Sequence, residues 1–126
     1  MNIIAMTVAY LALDGVWLGF ITKNFYSREL GTLARTAHGL SVDWFGILGA
    51  YVLAIAGIVY FVLPRAGGSV KKALIYGALY GAILYGVYDF TNRATLLNYS
   101  WKLAFADMLW GVVVCSIISA VGVYFE

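Results

Sequence analysis

Charged residues are scarce in this 126-residue chain: Lys, Arg, Asp and Glu make up 11% of it, against about a quarter of a soluble domain. With 63% hydrophobic residues, the chain lacks the polar surface that a soluble fold needs, so its solvent is predicted to be the lipid bilayer. Its one cysteine, Cys115, excludes an intrachain disulfide and is interpreted as apolar packing. The net charge of +2 is too small and scattered to indicate nucleic-acid binding.

Four apolar segments are long enough to cross a bilayer, which takes about 20 residues of helix. Their predicted bounds are 3–22, 45–63, 73–97 and 103–125. They predict an all-α bundle of four transmembrane helices in a single domain, 1–126. The first segment is interpreted as a retained helix, because no basic residue precedes it and no small-residue cleavage pattern follows. The only proline, Pro64, is expected to end the second helix.

The first loop, 23–44, is longer than the other two and has its own pattern. Apolar residues recur there at helical spacing from Phe25 to Ala34, with Lys23 among the charged residues that flank and separate them. This predicts a short amphipathic helix at the membrane interface, and an ordinary polar loop fits equally well.

The second loop carries Arg65, Lys71 and Lys72 without an acid. Four spans place both termini on that loop's side, and the positive-inside rule favours the cytoplasm for it. The first and third loops together carry Lys23, Arg28, Arg35 and Lys102, which favours the opposite orientation, and both termini inside is the preferred interpretation.

Three aspartates, Asp14, Asp89 and Asp107, interrupt the apolar segments. A carboxylate at the centre of a spanning helix costs roughly 2.5 to 3.5 kcal/mol on the insertion scale, so these three are expected to face the interior of the bundle. A rise of about 1.5 Å per residue puts all three in the bilayer half next to the first and third loops. The sequence therefore predicts one buried acidic site.

Other polar and aromatic residues lie at the same predicted depth. Arg93 follows Asp89 by one helical turn and is predicted to pair with it. Trp17 and Trp110 each lie three residues after an aspartate and could form walls of a pocket. The predicted ligand-binding residues are Asp14, Trp17, Tyr85, Asp89, Asn92, Arg93, Asp107 and Trp110.

Glycines recur on two of the apolar segments. Gly46, Gly49 and Gly57 in the second, and Gly77 and Gly81 in the third, are expected to let helices pack closely within the monomer. A homodimer contact is the alternative interpretation.

Three stretches carry a family resemblance: Tyr85–Leu96 (YGVYDFTNRATL) with Trp101 after it, Asp107–Gly111 (DMLWG), and Leu13–Gly19 (LDGVWLG). They resemble a family of uncharacterised small bacterial four-helix integral membrane proteins with the motif Tyr-Asp-x-Thr-Asn-x-Ala-Thr-Leu followed by Asp-x-x-Trp-Gly. The resemblance covers essentially the whole chain. It implies a bacterial inner-membrane protein with a shared polar site, and it implies no activity. The chain has Trp101-Lys102 where that family has Trp-Pro.

Three acids and one intramembrane arginine leave two acids that must be protonated, solvated or bound to a cation. This favours a buried Asp/Arg/aromatic pocket for binding or proton-linked handling of a small polar, cationic or lipid-derived ligand. The alternative is a membrane-embedded, metal-dependent lipid-modifying enzyme, in which Asp14, Asp89, Asn92 and Asp107 supply oxygen ligands to Mg²⁺ or Mn²⁺. A structural or assembly role is the third hypothesis. No cofactor is identified, because a phosphate-binding glycine loop, a serine nucleophile elbow and a haem-type histidine pair are all lacking.

Overall fold

The computed structural model describes residues 2–22 and 24–126, which form helices joined by short connections. In chain order the helices are α1 (Ile3–Ile21), a short α2 (Phe25–Leu30), α3 (Trp44–Ala66), α4 (Val70–Thr95) and α5 (Trp101–Tyr124). Within the described residues, α1, α3, α4 and α5 are long and apolar enough to cross a membrane. The predicted all-α four-helix architecture is confirmed.

Each spanning helix begins directly after a polar side chain that accepts a hydrogen bond from a backbone N–H of the first turn. These capping residues are Asn2, Asp43, Ser69 and Ser100. A cap satisfies one of the free N–H groups at a helix start, so it sets where the helix begins. As a result α4 and α5 begin before the predicted positions 73 and 103, at residues that an apolar pattern alone does not mark.

The prediction that Pro64 ends the second helix is wrong. α3 continues to Ala66 through a π-helical turn at Ile58–Val62. A proline lacks the backbone N–H and its ring crowds the preceding turn, and the wider π turn accommodates both. The chain leaves the helix at Gly67, where φ is 57° and a glycine is favoured.

The first connection contains the predicted amphipathic helix in shortened form, as α2. Phe25, Tyr26 and Leu30 pack against the start of α5 and against Tyr99. The apolar face of α2 therefore covers other parts of the chain. Lys23, predicted to be one of the charged residues of this segment, lies outside the described residues.

α4 and α5 form the most extensive helix pair in the structure, and glycines make their close approach possible. A Cβ atom at Gly77 would lie 2.6 Å from the carbonyl oxygen of Cys115. At Gly81 it would lie 2.7 Å from the carbonyl carbon of Gly111. Larger side chains at these positions would force the helices apart, so the predicted packing role is confirmed for both glycines.

The glycines of α3 divide into two groups. Gly57 faces the Tyr80 side chain of α4 too closely to leave room for a Cβ atom, as predicted. Gly46 and Gly49 have no atom of a neighbouring helix within 4 Å, so the prediction of close packing is wrong for them. A homodimer contact stays a prediction.

α5 is the central helix of the bundle, with α1 and α4 packed along it and the C-terminal part of α3 in contact with both α4 and α5. Met6, Ile58, Val114 and Ile118 are fully buried in the apolar core. The contacts between α3 and α4 are concentrated near the second loop. Their other ends are less tightly packed, and this difference creates the cleft described below.

Candidate functional site

The structure brings all three predicted aspartates into the interior, and each is held by side chains from other parts of the chain. Asp14 of α1 accepts hydrogen bonds on both carboxylate oxygens. The Tyr51 hydroxyl of α3 donates to Oδ2 at 2.5 Å and the Trp110 indole of α5 donates to Oδ1 at 2.7 Å. Asp14 therefore joins three helices, and each of its carboxylate oxygens has a donor.

Asp107 is reached by a relay of donors from α1 and α2. The Trp17 indole N–H donates to the Tyr26 hydroxyl, and that hydroxyl donates to Asp107 Oδ1, each over 2.9 Å. The Trp17 ring also stacks on the Trp110 ring, with centroids 4.7 Å apart and planes 3° from parallel. Because Trp110 holds Asp14, the two stacked indoles connect the surroundings of Asp14 and Asp107.

The π-helical end of α1 positions Trp17. The N–H and the hydroxyl of Thr22 both donate to the Trp17 carbonyl, over 2.8 and 2.6 Å. The π turn covers Trp17–Ile21. Single π turns recur at functional sites because they change the direction of side chains without ending the helix.

Asp89 is the most deeply buried acid, with 0% of its surface exposed. The Tyr99 hydroxyl donates to Oδ1 at 2.6 Å, whereas Oδ2 is buried without a hydrogen-bond partner.

The predicted ion pair between Asp89 and Arg93 is wrong. Arg93 Nη1 donates to the Tyr99 carbonyl at 3.2 Å, and the guanidinium carbon lies 5.0 Å from the centre of the Trp101 ring. Helical spacing put the two residues within reach, but Tyr99 occupies one oxygen of Asp89 and the other has no partner. The Tyr99 carbonyl, in the α4–α5 connection, thus accepts the hydrogen bond that Arg93 was predicted to donate to Asp89.

Tyr26 and Tyr99, in the connections outside the spanning helices, remain hydrogen-bond donors at neutral pH and above. Burial, reinforced by the neighbouring Asp107, raises the pKa of Tyr26 above its usual value of 10. Burial and the hydrogen bond to Asp89 raise the pKa of Tyr99 in the same direction.

A cleft of about 420 Å³ lies between α3 and α4 and reaches the acidic site. Its volume falls in the range of roughly 300 to 1,000 Å³ that is typical of small-molecule sites. Most of its walls are apolar or aromatic, and Asp107 supplies the charged group. The lining residues are Tyr10, Ala50, Leu53, Ala54, Leu84, Tyr85, Tyr88 and Asp107.

The eight predicted site residues have different positions relative to this cleft. Tyr85 and Asp107 line it. Asp14, Trp17 and Trp110 belong to the hydrogen-bonded and stacked network beside it. Asp89 accepts a hydrogen bond from Tyr99, Asn92 is half-buried on α4, and Arg93 donates to the third loop.

Sequence reasoning missed most of the tyrosines that complete the site. Tyr10 hydrogen-bonds to Tyr85 through the two hydroxyls at 2.6 Å. It precedes Asp14 by four residues, so helical spacing could have identified it. Tyr51 is a polar aromatic residue inside an apolar run, which is a weaker signal. Tyr26 belongs to the apolar face of α2, but helical spacing does not show which spanning helix that face covers. Tyr99 lies in a connection, where periodicity gives no information on its direction.

The metal-binding alternative has no assembled set of ligands in the part of the chain that the structure describes. Among residues 2–22 and 24–126, no three side chains of His, Cys, Asp or Glu are grouped so that they could hold one ion.

Four apolar helices around interior carboxylates define an integral membrane protein with a polar core. The chain belongs to the family described as "Predicted membrane protein (DUF2177)", whose family profile matches residues 1–124. The predicted membership of an uncharacterised membrane protein family is confirmed. No curated protein and no solved structure matches the chain significantly.

Proposed function

We propose that this protein binds a small, lipid-derived or other amphiphilic molecule in the cleft between α3 and α4, with its positively charged head group at Asp107. The observation that carries the proposal is the combination of apolar walls and one carboxylate in a single cleft. Apolar walls accommodate a hydrocarbon body, and a poorly hydrated carboxylate favours a cation because its own charge is otherwise uncompensated.

The position of the cleft supports entry from the bilayer. Leu53 and Tyr88, on its rim, are exposed on the outer surface of α3 and α4. In a membrane protein that surface faces the acyl chains. An amphiphile can therefore move from the bilayer into the cleft without passing through water.

The tyrosine and tryptophan network supports a precise orientation of the acid. Tyr26 donates to one oxygen of Asp107 and is itself held by Trp17. A carboxylate fixed by neighbouring donors is better suited to selective binding than a mobile one, because less freedom is lost when the ligand binds.

The test uses the full-length protein in lipid nanodiscs and decyltrimethylammonium as the probe. Its quaternary ammonium charge does not titrate, so pH acts only on the protein. Calorimetry would compare its binding with that of decanol and decanoate, and empty nanodiscs would give the background. We expect the cation to bind at least about tenfold more tightly than the alcohol, a difference of about 1.4 kcal/mol, because only the cation compensates the charge of a poorly hydrated carboxylate.

The key variant is Asp107→Asn, and Asp43→Asn is its matched control. Asp43 is exposed and caps α3, and asparagine caps a helix as well as aspartate does, so the same chemical change is made outside the cleft. Asp107→Asn should remove the preference for the cation and Asp43→Asn should keep it. Circular dichroism would verify folding. Equal binding of cation and alcohol by the wild type would refute the proposal.

A structural role is the competing hypothesis, and the donors on both oxygens of Asp14 favour it for that residue. Under this hypothesis Asp14→Asn lowers stability and leaves probe binding unchanged. The enzyme hypothesis is less well supported, because the described residues provide no group of metal ligands.

We also infer that both termini face the cytoplasm of a bacterial inner membrane, because Arg65, Lys71 and Lys72 are concentrated at the short second loop. A C-terminal fusion to a reporter that is active only in the cytoplasm would test this orientation. An inactive fusion combined with an active periplasmic reporter would reverse it.

A further inference from the structure

The side chains of Tyr10 and Tyr85 form a pair of hydroxyl groups at the wall of the cleft. Their oxygens are 2.6 Å apart, so one hydroxyl donates a hydrogen bond to the other. Both residues line the cleft, where Tyr10 is buried and Tyr85 is half-buried. The pair is therefore a second polar group of the cleft, in addition to Asp107.

Two hydroxyl groups carry two protons, and their mutual hydrogen bond uses one of them. Within residues 2–22 and 24–126, neither hydroxyl makes a further hydrogen bond. The second proton is thus left without an acceptor at a place with little water, and a buried donor without a partner costs free energy. An oxygen atom of a ligand in the cleft would remove this cost.

Tyr85 is the member of the pair that is more open to the cleft, because Tyr10 is only 4% exposed. In the matching arrangement Tyr10 donates to Tyr85, and Tyr85 directs its own proton into the cleft. A hydroxyl that accepts a hydrogen bond is also a stronger donor, because the two bonds polarise each other. Tyr85 then contacts the ligand, and Tyr10 positions Tyr85.

The position of Tyr85 relative to Asp107 determines which part of a ligand it reaches. The Tyr85 side chain packs against Gly111, where an added Cβ atom would lie 2.6 Å from the Tyr85 Cβ atom. Gly111 follows Asp107 by one helical turn, which is about 6 Å along the helix axis. A ligand whose cationic nitrogen contacts Asp107 therefore presents to Tyr85 an atom that is several bonds away from that nitrogen.

We propose that the Tyr10–Tyr85 pair donates a hydrogen bond to the ligand, so that the cleft selects a cationic amphiphile with a carbonyl oxygen a few atoms from its charged nitrogen. Choline esters have this arrangement. The inference rests on the proposed function, because it narrows the class of ligand for the same cleft.

The test compares decyltrimethylammonium with heptanoylcholine, a cation with the same head group, the same chain length and an added ester. Calorimetry with the full-length protein in lipid nanodiscs measures the affinity for each. Water solvates the ester more strongly than the alkyl chain, so the informative quantity is the ratio of the ester affinity to the alkyl affinity, compared between the wild type and Tyr85→Phe. This substitution keeps the ring that packs against Gly111 and removes only the hydroxyl.

We expect the ratio to fall about fivefold in Tyr85→Phe, which is the effect of losing one hydrogen bond between uncharged groups. Tyr10→Phe should lower the ratio by less, because Tyr85 keeps its proton and loses only its partner. Tyr60→Phe is the matched control: Tyr60 is exposed on α3 and does not line the cleft, so the ratio should stay unchanged. Circular dichroism would verify the folding of all three variants.

An unchanged ratio in Tyr85→Phe would overturn the inference, and the proposed function would stand if decyltrimethylammonium binding still depends on Asp107. A ratio that falls in Tyr10→Phe and not in Tyr85→Phe would assign the free proton to the other tyrosine and would overturn the inference too. If neither cation binds the wild type, the proposed function and the inference fail together.

Infrared spectroscopy provides a readout that needs no variant, so the test stays decisive if Tyr85→Phe does not fold. An isotope-labelled ester carbonyl separates the C=O band of heptanoylcholine from the bands of the lipids. This band should lie at a lower frequency in the presence of the wild type than in empty nanodiscs, because a hydrogen bond weakens the C=O bond. An unshifted band for bound heptanoylcholine would contradict the proposed hydrogen bond.

Discussion

The contact between α4 and α5 at Gly81 provides a sharp test of the fold beneath the site. A Cβ atom at position 81 would lie 2.7 Å from the carbonyl carbon of Gly111 and 3.0 Å from the Cβ atom of Cys115. The first of these neighbours is backbone, so no rotamer change relieves the overlap and the helices must separate. Overpacking of this kind typically costs about 1 to 3 kcal/mol.

Gly49→Ala is the matched control for Gly81→Ala, because a Cβ atom at position 49 has no atom within 4 Å. In a helix interior this substitution stabilises by roughly 0.5 to 1 kcal/mol when space permits. The two variants should therefore shift the free energy of unfolding in opposite directions. Both free energies are measured by circular dichroism of the protein in mixed micelles as the share of a denaturing detergent is raised.

Gly81→Ala should also alter the acidic site, because Gly111 lies one helical turn after Asp107 on α5. Separation of the helices would move Asp107 relative to the cleft and weaken the binding of decyltrimethylammonium. Changes of equal sign and size in the free energy of unfolding for Gly81→Ala and Gly49→Ala would refute the reasoning.

Three further predictions concern the site. Arg93→Leu should cost less than the roughly 3 to 5 kcal/mol that is typical of breaking a buried ion pair, because Arg93 and Asp89 form none; a larger loss that is recovered in the double variant with Asp89→Asn would contradict this. Ala50→Leu should block the cleft and abolish probe binding, whereas Ala12→Leu, at an exposed position of α1, should leave calorimetric binding unchanged. Since the pKa of Tyr26 is raised by burial, the folded state holds this proton more tightly than the unfolded state. Its contribution to stability should be complete below pH about 10 and be lost as the pH rises above that value. Between pH 8 and pH 11 the free energy of unfolding should therefore fall less for Tyr26→Phe than for the wild type.

The sequence by itself determined the membrane class, the four spanning helices and the inward direction of Asp14, Asp89 and Asp107. These inferences depend on transfer free energies, which are properties of single residues and short segments: apolar runs enter lipid, and carboxylates avoid it. The packing role of Gly77 and Gly81 followed for a similar reason, because small residues at helical spacing have few other uses in an apolar helix.

Only the tertiary structure decided which groups the acids contact. Arg93 was within helical reach of Asp89, yet the connection before α5 turns the Tyr99 carbonyl towards Arg93 and the Tyr99 hydroxyl towards Asp89. The pairing of Asp14 with Tyr51 and the cleft between α3 and α4 depend on the angles between helices. These angles arise from packing between segments far apart in the chain, and a periodic pattern within one helix carries no information about them.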